Sequence, residues 1–330
     1  MSVCPRANRK TKISDPADGF APLTDLAEAS DATLAHRDGR WWMYLAGQRT
    51  TSNEITLFSA SLPAGAPLAA TGWSVTAEAD NPAHVALVAG NSASAPWDRK
   101  GGRHCPAYVR GWDPAAGAWI ERIYYAGAAE NPWGPYAIGY LEWDGRAWVD
   151  QPEPVYRASA DWERGSVYEP NLIYHDGKWR MWYVAGSNWD NYLVQGYAES
   201  ADGRTGWSPP RTFAPPEWKM FDFNVAAVAG GFEAVYARVW VGKSAAPPET
   251  GLWWCRCETP ASDLAAWSLP VQLMTAEDCG WHSGPWRPSH RRDPADPRRL
   301  LVFFNGIYRK AEASGFPFSF TLGAVEFDLP

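Results

Sequence analysis

Residues Trp162–Gly186 read WERGSVYEPNLIYHDGKWRMWYVAG. The stretch opens with a lead-in that ends on a carboxylate, Glu169, and continues into a short apolar run, Asn171–His175. Asp176-Gly177 is a hairpin dipeptide, and Lys178–Ala185 is rich in aromatic and β-forming residues. Two β-patterned runs joined by Asp-Gly predict strand, tight turn, strand.

The rest of the chain reads as imperfect copies of this unit. Turn signals recur at Asp38-Gly39, Asp113-Pro114, Gly230-Gly231 and around Asp296-Pro297. An aromatic strand follows each: WWMYLAG at Trp41–Gly47, ERIYYAG at Glu121–Gly127, EAVYARVWVG at Glu233–Gly242 and LLVFFNG at Leu300–Gly306. A third strand comes next in every unit (ITLFSAS, YAIGYLEW, YLVQGYAES, GLWWCRCE, FTLGAVEFDL). Trp73, Trp148, Trp207 and Trp267 then open a fourth strand in four units, at spacings of 75, 59 and 60 residues. Helical periodicity is nearly absent, so the fold class is all-β. Five four-stranded antiparallel units arranged radially make a five-bladed β-propeller. The fifth unit reaches Pro330 without a fourth strand of its own. Because an open sheet edge invites aggregation, residues 1–30 are expected to close the ring on that blade, with residues 31–330 forming one propeller domain.

Composition narrows the function. Apolar residues make up 46% of the 330, enough for a sizeable core, and the 21 Trp exceed what a core needs. Trp faces also stack on sugar rings. A net charge of −7 argues against nucleic-acid binding. The basic start (Arg6, Arg9, Lys10, Lys12) is not followed by an apolar stretch of signal-peptide type, and no run approaches the length of a membrane span. Five Cys, an odd number without framework spacing, fit a reducing compartment, and the cytoplasm is the expected location.

In a propeller the innermost strands line the central channel, and one end of each borders a mouth. Aligning the units on that strand places Asp31, Cys105, Glu169, Asp222 and Gly284 at equivalent positions, with Asn224 matching Asn171. Carboxylates that converge on a funnel wall repel one another and lose solvent, which drives their pKa values apart. One then serves as a proton donor and another as a base, as glycosidic cleavage requires. The blander reading is that these acids cap strand ends or bind a cation in the channel.

The first-blade acid, Glu-Pro-Asn-Leu at Glu169–Leu172 and the D-G hairpin before W-R-M-W-Y-V-A-G resemble five-bladed propeller glycosidases of glycoside hydrolase families 43, 32, 68 and 130. The resemblance covers nearly the whole chain as repeat architecture and is close in wording only over Tyr168–Gly186. It implies that Asp31 is base or nucleophile and Glu169 the general acid; Asp222 is read as an orienting or pKa-setting group, the tuning role of the second blade being empty or passed to it. Two departures stand out. Asp25–Ser30 lacks the W-M-N-D-P-N-type opening of family 32, and the second-blade position reads Arg103-His104-Cys105-Pro106, where many relatives carry a tuning Asp.

Other residues bordering the proposed mouth are substrate-binding candidates. His104 and His282 offer hydrogen bonds or a proton relay, and with Arg103 and Arg287 they would form an anion pocket suited to phosphate or an acidic sugar. Trp97, Trp162, Trp218 and Trp281 each precede an inner strand, where a flat apolar face suits a sugar. Trp162 is favoured, and packing between blades is the competing role. The connection Asp80–Arg103 and the shorter Ser187–Asn191 are candidates for a lid or a dimer contact. Cys255 and Cys257 read as core thiols. Nucleotide-binding, zinc-protease and serine-hydrolase motifs are not found.

The sequence therefore points to an enzyme acting on a small saccharide or glycoside by carboxylate acid/base chemistry, with inversion favoured. No organic cofactor is expected, and the oxygen-rich mouth suggests a Ca²⁺ ion in the channel. Two rivals are a non-catalytic sugar-binding propeller and another reaction in the same funnel, such as phosphorolysis, elimination or isomerisation.

Overall fold

A computed structural model describes residues 6–14, 25–49, 55–89, 97–98, 102–129, 134–187, 192–239, 247–308 and 320–329. Five antiparallel sheets form the propeller. The first blade orders β2 (Leu26–Arg37), β3 (Arg40–Arg49), β4 (Ile55–Ser61) and β5 (Ser74–Val75), with β6 (Leu87–Ala89) also pairing to β4. The second comprises β7 (Arg103–Asp113), β8 (Ala118–Ala128), β9 (Tyr136–Trp143) and β10 (Trp148–Asp150). The third is β11 (Val167–His175), β12 (Lys178–Ser187), β13 (Tyr192–Ser200) and β14 (Arg211–Ala214). The fourth is β15 (Met220–Val228), β16 (Gly231–Arg238), β17 (Gly251–Cys257) and β18 (Val271–Thr275). In the fifth, β19 (Ser283–Arg292), β20 (Arg299–Ile307) and β21 (Thr321–Asp328) are completed by β1 (Arg6–Ser14).

β1 lies antiparallel to β21, from Arg6 opposite Asp328 to Ser14 opposite Leu322, so the N-terminal strand closes the ring as expected. The first blade already begins at Leu26, a few residues earlier than the sequence suggested. Each innermost strand (β2, β7, β11, β15, β19) touches two others, and β19 returns to β2.

The hairpins form where Asp-Gly predicted them. Arg37 pairs with Arg40 and His175 with Lys178, leaving two-residue loops. Asp38 and Gly39 (φ 50° and 68°) and Asp176 and Gly177 (50° and 71°) take the positive φ that a type I′ turn needs. In the fourth blade Val228 pairs with Gly231, so the turn is Ala229-Gly230, one residue ahead of the predicted dipeptide.

The second strand of each blade is buried on both faces, which explains its unbroken aromatic run. Side chains alternate. Met43 and Leu45 face the fifth blade's Leu301 and Phe303, whereas Tyr44 and Ala46 face Ile123 and Tyr125 of the second. Trp179, Met181 and Tyr183 pack on Tyr124 and Ile138, and Trp182 packs on Phe223 and Tyr236. Val235 and Leu252 meet Val302, Phe304 and Val325. The core is thus a set of wedges between blades. No helix among the described residues is long and apolar enough to cross a membrane.

Candidate active site

Every inner strand is interrupted near its start by the same defect. Pairing with the second strand skips between Ser30 and Thr33, His104 and Ala107, Tyr168 and Asn171, Phe221 and Asn224, and Trp286 and Ser289. At each bulge one non-glycine residue adopts left-handed backbone: Asp31 (φ 54°), Cys105 (54°), Glu169 (52°), Asp222 (58°) and Arg287 (46°). Bulges bend a strand and re-aim a side chain. A left-handed non-glycine residue costs roughly 1–3 kcal/mol, and such costs concentrate at functional sites. Five repeats of one strained turn therefore aim five side chains at a common mouth.

Four of the five equivalences read from the sequence hold. The fifth is corrected: the bulge residue is Arg287, not Gly284. β19 breaks register twice, between Ser283 and Trp286 and again between Trp286 and Ser289. The expected position, Gly284, therefore lies three residues short of Arg287.

Arg287 organises the ring. It is 3% exposed, and its guanidinium extends from the fifth blade to three others. Nε lies 3.0 Å from Glu169 Oε2, and Nη1 donates to Asp222 Oδ1 at 3.3 Å. Nη2 faces the carbonyls of Cys105 (3.0 Å), Pro106 (3.1 Å) and Pro170 (3.4 Å). Its backbone N–H donates to Asp222 Oδ2 at 3.1 Å. Asp31 is held from the other side: its N–H donates to Asn305 Oδ1 at 2.9 Å, Asn305 Nδ2 donates to its Oδ1, and the Cys105 N–H donates to its Oδ2 at 3.2 Å.

The electrostatics follow from this packing. Burial pushes the Glu169 carboxyl above the usual carboxylate range; the Arg287 charge opposes that shift and the Asp31 charge adds to it. Asp222 is pushed well above the usual range by burial and then by the charge on Glu169, again against Arg287. Two adjacent buried carboxyls beside one guanidinium resist ionising together. Cys105 is pushed up by burial and by the charges of Asp31 and Glu169, so it remains a neutral S–H donor toward Glu169. The second-blade position is therefore occupied by a thiol rather than an acid.

A layer of amides lies beneath. Asn224 Nδ2 donates to Asn171 Oδ1 at 2.7 Å, while Asn224 Oδ1 accepts the His290 backbone N–H at 3.1 Å and its Nδ1 at 2.7 Å. An amide oxygen only accepts, so Nδ1 carries the His290 ring proton. His290 Nε2 faces Glu233 Oε1 at 3.7 Å, and burial lowers the histidine's pKa to about 4.

The other predicted residues are placed as follows. His104 is buried with its ring edge-on to Tyr136, at 5.6 Å. Arg103 is fully buried and committed to Asp98 (3.0 Å), Asp150 (2.7 Å) and the Ala89 carbonyl (3.3 Å). His282 is exposed, one residue ahead of β19. Of the four residues proposed as an anion pocket, Arg287 contacts the ring carboxyls, Arg103 is committed to Asp98 and Asp150, and His104 packs on Tyr136. Trp97 stacks on Tyr125 at 5.6 Å and packs against Gly127 and Gly139, where a Cβ would come within 2.5 Å and 2.4 Å of its ring. Trp281 does the same over Gly306 and Gly323. Trp162 is half-buried and stacks on Tyr183 at 6.4 Å, and Arg238 lies over Trp218. Trp97 and Trp281 are thus wedged against glycines of neighbouring strands, and Trp97 also lines a cavity beside the ring. Much of Asp80–Arg103 and residues 188–191 lie outside the described residues.

Beside the ring is a cavity of about 270 Å³, lined by Trp97, Gly127, Tyr136, Ala137, Arg157 and Gly165 among others. Tyr136 links the two features. Its phenol is pushed up by burial and then by the charges of Cys105, Glu169 and Asp31, and its ring tilts on Tyr168 at 5.3 Å. Tyr136 and Asn305 are site residues that sequence reading missed. Asn305 had left a signal: LLVFFNG carries Asn where WWMYLAG, ERIYYAG and RMWYVAG carry Ala.

No protein-family model and no curated protein sequence matches the chain. Solved structures do. The α-L-arabinofuranosidase PaAbf62A from Podospora anserina, in complex with cellotriose, is 12% identical with a TM-score of 0.60, covering 99% of both chains. The catalytic domain of a family 62 α-L-arabinofuranosidase from Coprinopsis cinerea is 14% identical with a TM-score of 0.61, over 99% of this chain and 97% of its own. Zg3597, a family 117 glycoside hydrolase produced by Zobellia galactanivorans, is 15% identical with a TM-score of 0.59, covering 98% and 90%. At these identities the likeness is one of fold: the chain has the architecture of the five-bladed β-propeller glycosidases.

Proposed function

We propose that this protein hydrolyses a glycosidic bond in a small saccharide or glycoside, using the carboxyls of the propeller mouth. The observation that supports it best is the convergence of Asp31, Glu169 and Asp222, from three blades, on one ring built from strained bulges. In this reading Glu169, whose proton affinity burial raises, gives a proton to the leaving oxygen as the bond to the anomeric carbon breaks. Asp31 accepts hydrogen bonds at both oxygens and takes the proton of the attacking water, giving inversion. Asp222 and Arg287 hold Glu169 and set its proton affinity. Because each guanidinium nitrogen of Arg287 already faces a protein oxygen, water is a better acceptor here than phosphate. The cavity beside Tyr136 is the proposed seat of the sugar.

The test is turnover of nitrophenyl glycosides and short oligosaccharides, with and without phosphate, by wild type and Glu169→Gln. Loss of roughly 10²–10⁴-fold in a folded Glu169→Gln protein, smallest for the best leaving groups, is the expected result. The anomer first formed, read by proton NMR, distinguishes inversion from retention. The rival reading, a sugar-binding propeller without turnover, draws on the thiol at the second-blade position. It predicts sugar affinity, no product, and no difference between the two proteins.

A further inference from the structure

We propose that the Arg287 guanidinium is the resident cation of the channel mouth, taking the oxygen set that a divalent metal ion would otherwise use, and that it is the positioning residue for Glu169 and Asp222. Five oxygens from three blades converge on it: the carbonyls of Cys105, Pro106 and Pro170, Asp222 Oδ1 and Glu169 Oε2, all at 3.0–3.4 Å. Carbonyls mixed with carboxylates are the ligand chemistry of Ca²⁺, which gathers six to eight oxygens at about 2.3–2.6 Å. Here each of those oxygens already lies within 3.4 Å of a guanidinium nitrogen. A metal ion centred among them would overlap the side chain and set like charges together. The expected channel Ca²⁺ therefore does not fit this mouth.

The arginine is built in. Its side chain is 4% exposed, its backbone is held at φ 46°, and its N–H is tied to Asp222 Oδ2 at 3.1 Å. A planar fork with fixed donors suits a set of oxygens arriving from several directions better than an ammonium does. The charge matters as much as the shape. One positive charge between two carboxyls offsets one negative charge and leaves the other carboxyl to keep a proton. A dication would offset both and release that proton. The upward shifts of Glu169 and Asp222 accord with the single charge. The groups facing the guanidinium are Glu169, Asp222, Asp31 and the Cys105 thiol.

The test reads stability and cation binding, so its outcome is independent of whether the protein cleaves glycosides. Wild type is melted with EDTA and with CaCl₂, and titrated with CaCl₂ by calorimetry; its melting temperature is expected to stay constant, with no binding heat. Arg287→Ala leaves two carboxyls and three carbonyls facing one another and is expected to melt roughly 5–15 °C lower. Methylguanidinium or CaCl₂ in the low millimolar range should recover part of that loss. If Arg287→Ala does not fold, Arg287→Gly takes its place, since glycine accepts the left-handed backbone and leaves the same oxygen set for methylguanidinium to fill. A wild type that loses stability in EDTA and regains it with CaCl₂ overturns the proposal. So does a folded variant that responds to neither cation.

Discussion

Asn305 holds Asp31 at two points: its amide nitrogen donates to the Asp31 carboxyl, and its amide oxygen accepts the Asp31 backbone N–H at 2.9 Å. One fifth-blade side chain thus fixes both the left-handed backbone and the carboxylate of the first-blade acid. Asn305→Ala leaves a buried N–H without its acceptor, at a cost of about 1–3 kcal/mol. It also frees the carboxylate to rotate, so kcat on whichever glycoside is turned over should fall roughly 10–100-fold with little change in KM. Steady-state kinetics together with urea unfolding separate the two effects.

Stability should depend on pH through two opposed sets of groups. His290 titrates at about 4 in the folded protein, below the ~6.5 of an unfolded histidine. Between those values the unfolded chain binds more protons, so this contribution is complete above pH ~6.5 and is lost as pH falls toward 4. At pH 5 the loss is about 2 kcal/mol. Glu169 and Asp222 are shifted upward, so their contribution is complete below ordinary carboxyl values and is lost as pH rises through their folded values. Urea unfolding of His290→Gln from pH 7 to 4.5 should lack the acid-side loss, whereas Asp222→Asn should steepen the net acid-side fall.

Packing around Trp97 can be tested without touching the ring. A Cβ at Gly139 would stand 2.4 Å from the indole, and the indole is wedged against Tyr125. Gly139→Ala should cost about 1–3 kcal/mol by overpacking. It should also push the Trp97 face into the neighbouring cavity, raising KM for any sugar bound there. Thermal melting and KM should therefore change together in this variant.

The outermost strand of the fifth blade offers a fourth prediction. Without β1, strand β21 would present a row of unpaired N–H and C=O groups. A variant lacking residues 1–14 should melt lower and associate through that edge, seen as higher-order species in size-exclusion chromatography. A monomeric variant that melts like the full chain would show that blade five needs only three strands.

Much of the architecture was readable because it is written locally. Asp38-Gly39 and Asp176-Gly177 specify their turns through backbone conformations few other pairs accept, and the doubly buried second strands betray themselves as aromatic runs. Cys105, Glu169 and Asp222 were found as equivalents because each is the third residue of its inner strand, and Asp31 because it precedes the apolar run of its own. Arg287 was misplaced because β19 carries an additional irregularity, and a shift of register cannot be counted from residue types. Arg103 was misread for a different reason. Its neighbours His104 and Cys105 border the mouth, but its own partners, Asp98 and Asp150, are set by loop paths that composition does not reveal.

The repeated left-handed turn at Asp31, Cys105, Glu169, Asp222 and Arg287 separates scaffold from equipment. Each position is shaped by its backbone rather than by its side chain, which is why two acid types, a thiol and a guanidinium occupy equivalent places. Glycine accepts that backbone freely, and β-branched residues accept it worst. Glycine substitutions one position at a time would relieve local strain while emptying the mouth group by group. The five sockets make this a chassis on which the reaction can be changed while the ring of blades is left intact.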